Sequence, residues 1–163
     1  MKVCAVIPAY NESSRISPVV AKAKTLVERV LVVDDGSRDN TAEVARAAGA
    51  EVLVHQVNGG KGRSLRDGMN WACEQGFDAI ITLDADGQHL PEEIPPFVAA
   101  AEAGADIVVG NRMSNTRSMP WVRFFTNRFM SGLVSLLAGA NIPDSQCGFR
   151  LIKAQAWKTL SAI

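Results

Sequence analysis

Residues 79–90 read Ala79-Ile80-Ile81-Thr82-Leu83-Asp84-Ala85-Asp86-Gly87-Gln88-His89-Leu90. The first five form a short apolar run with β-branched side chains, the pattern of a buried strand. The run stops at two carboxylates one residue apart. Along an extended chain, side chains at i and i+2 point to the same face. Asp84 and Asp86 therefore share one side just past the strand's C-terminal end. In an open α/β sheet that edge is where ligands bind. Two carboxylates with the carbonyl oxygen of Gln88 make a hard oxygen donor set, which suits Mg2+ or Mn2+ held against phosphates. Taken alone, the same residues also describe a solvated acidic turn ahead of a helix starting at Pro91. The weight therefore rests on the rest of the chain.

A length of 163 residues fits one domain, and 47% hydrophobic residues are ample for a buried core. Seventeen basic and seventeen acidic residues cancel, which argues against a nucleic-acid partner. Cys4, Cys73 and Cys147 are odd in number, far apart and without a Cys-x-x-Cys pair. They indicate neither a zinc site nor a disulfide framework, and a reduced cytosolic setting fits them. The N-terminus runs directly into a strand pattern with no basic region and cleavage site, so no signal peptide is expected.

Taken in order, the chain alternates strands and helices. Val3-Cys4-Ala5-Val6-Ile7 is a buried strand ending at Pro8, followed by a polar loop over residues 9–14. Ser17 is placed to cap a helix with Pro18 at its first position, and Val19, Val20, Ala23, Leu26 and Val27 follow helical spacing. Val30 to Val33 is a second strand, closed by Asp34-Asp35-Gly36-Ser37. Asn40 and Glu43 fit a capping box, and Gly49 ends that helix. A third strand runs from Glu51 to Val57, and Asn58-Gly59-Gly60-Lys61-Gly62 is a glycine-rich turn. The next helix turns Leu65, Met69 and Ala72 inward and stops at Gly76. After the fourth strand, a helical stretch from Pro91 to Gly104 is interrupted near Pro95-Pro96, and Asp106 to Val109 is a fifth strand leading to Gly110-Asn111-Arg112. This alternation predicts βαβ units and a mainly parallel sheet. All parallel strands end at one edge, so Pro8, Asp35, Asp84 and Arg112 should converge there.

The later segment differs. Trp121, Val122, Phe124, Phe125, Phe129, Met130, Leu133, Val134, Leu136 and Leu137 predict a helix that is apolar around most of its girth. It is shorter than the roughly 20 apolar residues a membrane span requires. It also carries Arg123, Asn127 and Arg128, and each central Arg would cost about 2.5–3.5 kcal/mol on insertion scales. The pattern suits a core helix, a homo-oligomer interface, or an amphipathic helix at a membrane surface.

The residues Pro8-Ala9-Tyr10-Asn11-Glu12, Val33 to Ser37 with Asp39 and Thr41, Asn58 with Gly60-Lys61-Gly62, Leu83 to Gln88, Gly110-Asn111-Arg112 and Asp144 to Arg150 follow one another across nearly the whole chain. In this order and spacing the chain resembles the inverting glycosyltransferases of family 2, which have the GT-A fold. Within them it is most similar to the polyprenyl-phosphate (dolichol-phosphate) mannosyl- and glucosyltransferases. Rossmann and P-loop fingerprints are not present.

The resemblance implies an α/β, Rossmann-like, mainly parallel central sheet flanked by helices, with the apolar helix after the fifth strand. It implies that Pro8, Tyr10, Glu12 and Asp35 line a nucleobase and ribose pocket, and that Lys61 approaches the phosphates from its glycine turn. Asp84, Asp86 and Gln88 would hold Mg2+ or Mn2+, with Asp86 at the catalytic centre. Arg112 (also a catalytic candidate), Arg123 and Asn127 would hold an acceptor phosphate, although Asn127 stands where some relatives have Ser. Arg suits this role because its planar fork donates two hydrogen bonds. Asp144 is the candidate base, a role an anionic phosphate acceptor scarcely requires. The implied partners are a GDP- or UDP-linked sugar, a polyprenyl phosphate and the membrane surface, with a cytoplasmic location peripheral to the membrane. A saccharide acceptor, or a non-catalytic fragment that binds nucleotide sugar, are the alternatives. Catalytic domains of the family continue past the Gly-Phe-Arg motif, whereas this chain stops inside what reads as a helix over 154–160. The expectation is one catalytic domain over residues 1–163, cut short at its C-terminus.

Overall fold

The computed structural model describes residues 1–87, 89–110 and 147–162. Its chain divides into two compact units, Met1–Val108 with Phe149–Ile163, and Val109–Gly148. The cleft described below lies in the first. The apolar helix expected over residues 121–137 falls outside the described residues, as do Gln88, Arg112, Arg123, Asn127 and Asp144.

Among the described residues six strands form one sheet: β1 (Val3–Ala9), β2 (Arg29–Asp34), β3 (Glu51–Val54), β4 (Ala79–Thr82), β5 (Ile107–Val109) and β6 (Arg150–Lys153). Their order is β3-β2-β1-β4-β6-β5. The first four pair in parallel, with Val6 opposite Leu31 and Thr82, and β6 lies antiparallel to β4 with Arg150 opposite Thr82. The helices are α1 (Ile16–Ala23), α2 (Thr41–Ala47), α3 (Lys61–Glu74), α4 (Ile94–Glu102) and α5 (Ala154–Ser161). The expected mainly parallel α/β architecture is thus observed.

Period-two alternation explains how the sheet is covered. Cys4, Val6, Leu31, Val33, Ile80 and Ile152 face one side and pack against Met69 and Ala72 of α3. The intervening Ala5, Ile7, Val32 and Ile81 are as fully buried, so both faces are covered. Continuous apolar strands of this kind belong to sheets shielded on two sides. Close approach of α3 to the sheet occurs at Gly68, where an added Cβ would lie 2.5 Å from Val6 Cγ1 and 3.0 Å from Val33 Cγ2.

Several element boundaries differ from the sequence expectation. Helix α1 begins at Ile16, so Ser17 is not its cap, because the N–H groups of Arg15 and Ile16 both bond the Glu12 carbonyl at 2.9 Å and wind directly into the helix. Pro18 is then its third residue, still among the first-turn positions whose N–H has no helical partner. The helix ends at Ala23, and Leu26 and Val27 follow in a turn bonded to the Ala23 carbonyl. Asn40 precedes α2 but makes no side-chain cap bond; Asp39 takes the Thr41 N–H instead, at 3.1 Å. Strand β3 stops at Val54, three residues early, where His55 turns inward. Lys61 is the first residue of α3 and not part of the turn, which Gly60 closes with a φ of 86°. The break near the proline pair falls before it: a 3-10 turn spans Pro91–Glu93 and α4 then carries Pro95 and Pro96 in its first turn. Strand β6 was not anticipated.

Gly68→Ala should lower thermal stability. Overpacking costs about 1–3 kcal/mol, offset by at most about 1 kcal/mol of helix propensity. A melting temperature lower by about 2–8 °C is expected. Gly62→Ala, in the same helix with nothing within 4 Å of its added Cβ, should hold or raise it. Equal melting temperatures for the two variants would contradict the close packing of α3.

Candidate active site

Strand order reverses between β1 and β4: β2 and β3 are added on one side of β1, and β4 on the other. A crevice opens beyond the strand ends at such a switch point. Here it is a cleft of about 330 Å³ lined by Pro8 near the end of β1, Tyr10 and Glu12 after it, Asp35 after β2, Lys61 and Ser64 of α3, and Asp84 and Asp86 after β4. Seven of the expected site residues are therefore brought together, and the other five lie outside the described residues.

Alternation carried past the end of β2 decides what each acidic residue does. Val33 faces α3, so Asp35 turns to that same side and meets the turn that starts α3. Its Oδ2 accepts the Gly60 N–H at 2.7 Å, and the Gly59 N–H is shared between Oδ1 at 3.0 Å and Oδ2 at 3.1 Å. His55 Nδ1 lies 2.8 Å from Oδ1. Burial pushes the Asp35 pKa up, but His55, the two glycine N–H groups and Ser64 outweigh it and hold the carboxyl below its usual range. The imidazole of His55 is itself buried, and its Nε2 faces Asp67 Oδ2 of α3 at 3.3 Å. Sequence reasoning missed His55. A lone His directly after an apolar run has no motif, and the available signal was its place between a strand end and the glycine turn.

Asp34 and Asp39 serve the loop after β1. Asp34 bonds the Ser37 hydroxyl and accepts the Ser37 N–H at 3.1 Å. Ser37 Oγ in turn accepts the Asn11 N–H at 2.9 Å, while Asn11 Oδ1 accepts the Arg38 N–H at 2.8 Å. Asp39 bonds the Thr41 hydroxyl and accepts the Ser13 N–H at 3.2 Å, and Thr41 Oγ1 accepts the Glu12 N–H at 2.8 Å. The Thr41 hydroxyl bond, against burial and aided by Ser13, keeps Asp39 below its ordinary pKa. Asn11 takes the left-handed φ of 55° that this clamp requires, a conformation Asn tolerates better than most residues. The clamp holds the loop that carries Tyr10, 42% exposed, and Glu12 into the cleft. Glu12 Oε2 is buried with no hydrogen-bond partner among the described residues, the Arg15 guanidinium standing 3.6 Å away. An acceptor of this kind suits a ligand's N–H or O–H group.

Beyond β4 the alternation also continues. Leu83 and Ala85 are buried, and Asp84 and Asp86 turn to the cleft. Asp84 pairs with the Lys61 ammonium. The Asp84 N–H donates to His89 Nδ1 at 3.0 Å, and the His89 ring stacks on Phe149 at 5.4 Å, with Phe97 on the same phenyl ring at 4.4 Å. His89 thus anchors the acidic turn, and its Nδ1 is committed to backbone. The donors offered to an ion are therefore oxygens. Among the described residues no three His, Cys, Asp or Glu groups gather around one point. Two carboxylates are nevertheless a donor set that fits a hard divalent ion, which takes oxygen ligands.

The lowered pKa of Asp35 carries a pH consequence. Its folded-state value lies below the unfolded one near 4, so its stabilisation is present above the unfolded pKa and is lost as pH falls through the folded value. Asp35→Asn turns an amide toward the glycine N–H groups and should cost about 1.5–3 kcal/mol at pH 7 in urea unfolding. Below pH 3 the gap to the parent chain should narrow. A gap independent of pH would show that Asp35 contributes no ionised hydrogen bonds.

The sequence model of Glycosyl transferase family 2 matches residues 4–160. Polyprenol monophosphomannose synthase from Mycolicibacterium smegmatis is 32% identical over 92% of this chain and 61% of its own length. Undecaprenyl-phosphate mannosyltransferase from Micrococcus luteus is 33% identical over 100% of this chain and 70% of its own. UDP-N-acetylglucosamine--dolichyl-phosphate N-acetylglucosaminyltransferase from Methanococcus voltae is 32% identical over 96% and 71%. The chain thus spans between 61% and 71% of the length of these relatives. Glucosyl-3-phosphoglycerate synthase from Mycobacterium tuberculosis shares the fold with a TM-score of 0.73 at 22% identity, covering 94% of this chain and 57% of that one. With the family pattern running from the second residue of β1 to the last turn of α5, this chain belongs to glycosyl transferase family 2.

Proposed function

We propose that residues 1–163 form one catalytic domain, which transfers a sugar with inversion from a nucleotide diphosphate sugar to a polyprenyl phosphate at the cytosolic membrane face. The observation that carries this reading is the single cleft shared by Tyr10, Glu12 and Asp35 with Lys61, Asp84 and Asp86. An aromatic ring beside carboxylates suits a flat base with N–H donors, and an ammonium beside two carboxylates suits a diphosphate and its counter-ion. Relatives named for UDP-linked and polyprenyl-phosphate substrates support the donor class and the acceptor. A fold neighbour solved with Mn2+ and UDP supports a divalent ion.

On this reading Tyr10, Glu12 and Asp35 orient the nucleoside, and Lys61 binds phosphate oxygens. Asp84 and Asp86, with Gln88, would hold Mg2+ or Mn2+, which would supply positive charge to offset that developing on the leaving diphosphate. Arg112, Arg123 and Asn127 would orient the acceptor phosphate for attack at the anomeric carbon. That phosphate is already an anion, so Asp144 is required as a base only if the acceptor is a saccharide hydroxyl. Among the described residues no helix is long and apolar enough to cross a membrane. Attachment is assigned to the apolar segment around Phe124, Phe125 and Phe129.

The test is incubation with radiolabelled UDP- and GDP-sugars, Mn2+ or Mg2+, and polyprenyl phosphate in detergent. A lipid-linked sugar should form only with the lipid present. Transfer to a saccharide instead would favour that acceptor, and nucleotide binding without any transfer would mark a non-catalytic fragment.

Asp86→Asn should weaken metal-dependent nucleotide binding by at least about tenfold, the scale of one charge-assisted contact, and leave the melting temperature near that of the parent. Unchanged affinity with and without metal would remove Asp86 from the ion site. Arg123→Ala should raise the KM for the lipid phosphate by roughly ten- to a hundredfold and spare donor binding. A fall in melting temperature with no change in that KM would assign Arg123 to packing.

A further inference from the structure

We propose that His55 is a positioning residue for nucleotide recognition: it sets the Asp35 carboxylate on the cleft wall and ties it to helix α3. This inference rests on the donor reading above, in which Asp35 meets the nucleoside. His55 follows the edge strand β3, whose own residues are half-buried or exposed, yet its ring is buried. Both ring nitrogens face carboxylates: Nδ1 lies 2.8 Å from Asp35 Oδ1, and Nε2 lies 3.3 Å from Asp67 Oδ2. Asp67 is held in turn by Arg63, one helical turn back, at 3.4 Å. The ring therefore bridges the end of β2 and the first turns of α3.

The bonding of Asp35 shows why one nitrogen matters. Oδ2 accepts the Gly60 N–H at 2.7 Å, while Oδ1 shares the Gly59 N–H and has its shortest contact, 2.8 Å, with His55. Without Nδ1, Oδ1 loses that contact and the carboxylate is held chiefly through Oδ2. A side chain held at both oxygens presents its remaining lone pairs in one direction, which lowers the ordering cost of binding. The contact with Asp67 ties the same ring to α3, whose first residue, Lys61, also lines the cleft. The base-reading and phosphate-reading groups thus share one support.

Two substitutions separate the nitrogens. An Asn amide reaches where Nδ1 sits and a Gln amide reaches where Nε2 sits, so His55→Asn keeps the Asp35 contact and His55→Gln keeps the Asp67 contact. UDP and GDP are titrated calorimetrically, with Mn2+, into the full chain and the variants, each checked by thermal melting. His55→Gln and His55→Leu should bind about ten- to a hundredfold more weakly than the parent, the scale of a charge-assisted hydrogen bond. His55→Asn should restore affinity to within about threefold. Folded Gln and parent chains of equal affinity, or an Asn variant as weak as the Gln variant, would overturn the assignment. So would failure of every variant to fold, which would make His55 a packing residue. If the parent itself binds neither nucleotide, the donor reading fails and this inference falls with it; loss of binding confined to the variants leaves that reading standing.

Discussion

The Asp35 carboxylate is the constraint on which the cleft depends. It is 3% exposed, and burying a charge is costly unless hydrogen bonds replace its water. His55, just past β3, and Gly59 and Gly60, in the glycine turn that leads into α3, supply them. Satisfying one anion therefore fixes where α3 begins. Gly60, at a φ of 86°, brings its N–H onto Oδ2, a backbone conformation that residues with a Cβ rarely adopt. Because α3 also packs closely on β1 and β2 at Gly68, the helix is located at both its first and its second turns. The backbone of Lys61 is thereby placed at the cleft wall.

The neighbouring carboxylates show how one motif divides its work by face. Asp34, Asp35 and Asp39 are chemically the same, but alternation sends Asp35 toward α3 and leaves Asp34 and Asp39 to the loop after β1. The two loop carboxylates accept hydroxyl and backbone hydrogens only, and so act as templates for the polypeptide. They hold the loop from which Tyr10 and Glu12 reach the cleft. Glu12 Oε2 is buried with no hydrogen-bond partner among the described residues, an acceptor that a donor group on a ligand would satisfy.

Residues whose role is written in local periodicity were readable from sequence. Leu83 and Ala85 inward with Asp84 and Asp86 outward is simple alternation, and the β-branched runs at Val30–Val33 and Ile80–Ile81 placed the strands. What escaped is what depends on distant partners. His55 and His89 are each a single histidine with no pattern around it, and their meaning comes from Asp35, Asp67, the Asp84 N–H and Phe149, the last of these sixty residues beyond His89. Strand β6 escaped because Arg150–Lys153 is four residues long and passes without a turn into α5, so no punctuation separates strand from helix. Helix starts slipped where the backbone supplied its own closure: the Glu12 carbonyl did for α1 what a Ser17 cap was expected to do.

Charge balance at the acidic turn gives the last step. Asp84 and Asp86 face a cleft in which Lys61 is paired with Asp84. A carboxylate and a phosphate 4 Å apart repel by about 4 kcal/mol per pair of unit charges at an effective dielectric of 20. On the donor reading proposed above, a divalent ion between these carboxylates and the phosphates would offset that repulsion, and Lys61 would be able to meet phosphate as well as Asp84. The His89 nitrogen nearest the turn is spent on the Asp84 N–H, so what remains for that ion is oxygen. This is the preference of Mg2+ and Mn2+ and not of zinc. The electrostatics of the two carboxylates and the tethering of His89 thus support the same conclusion from different residues.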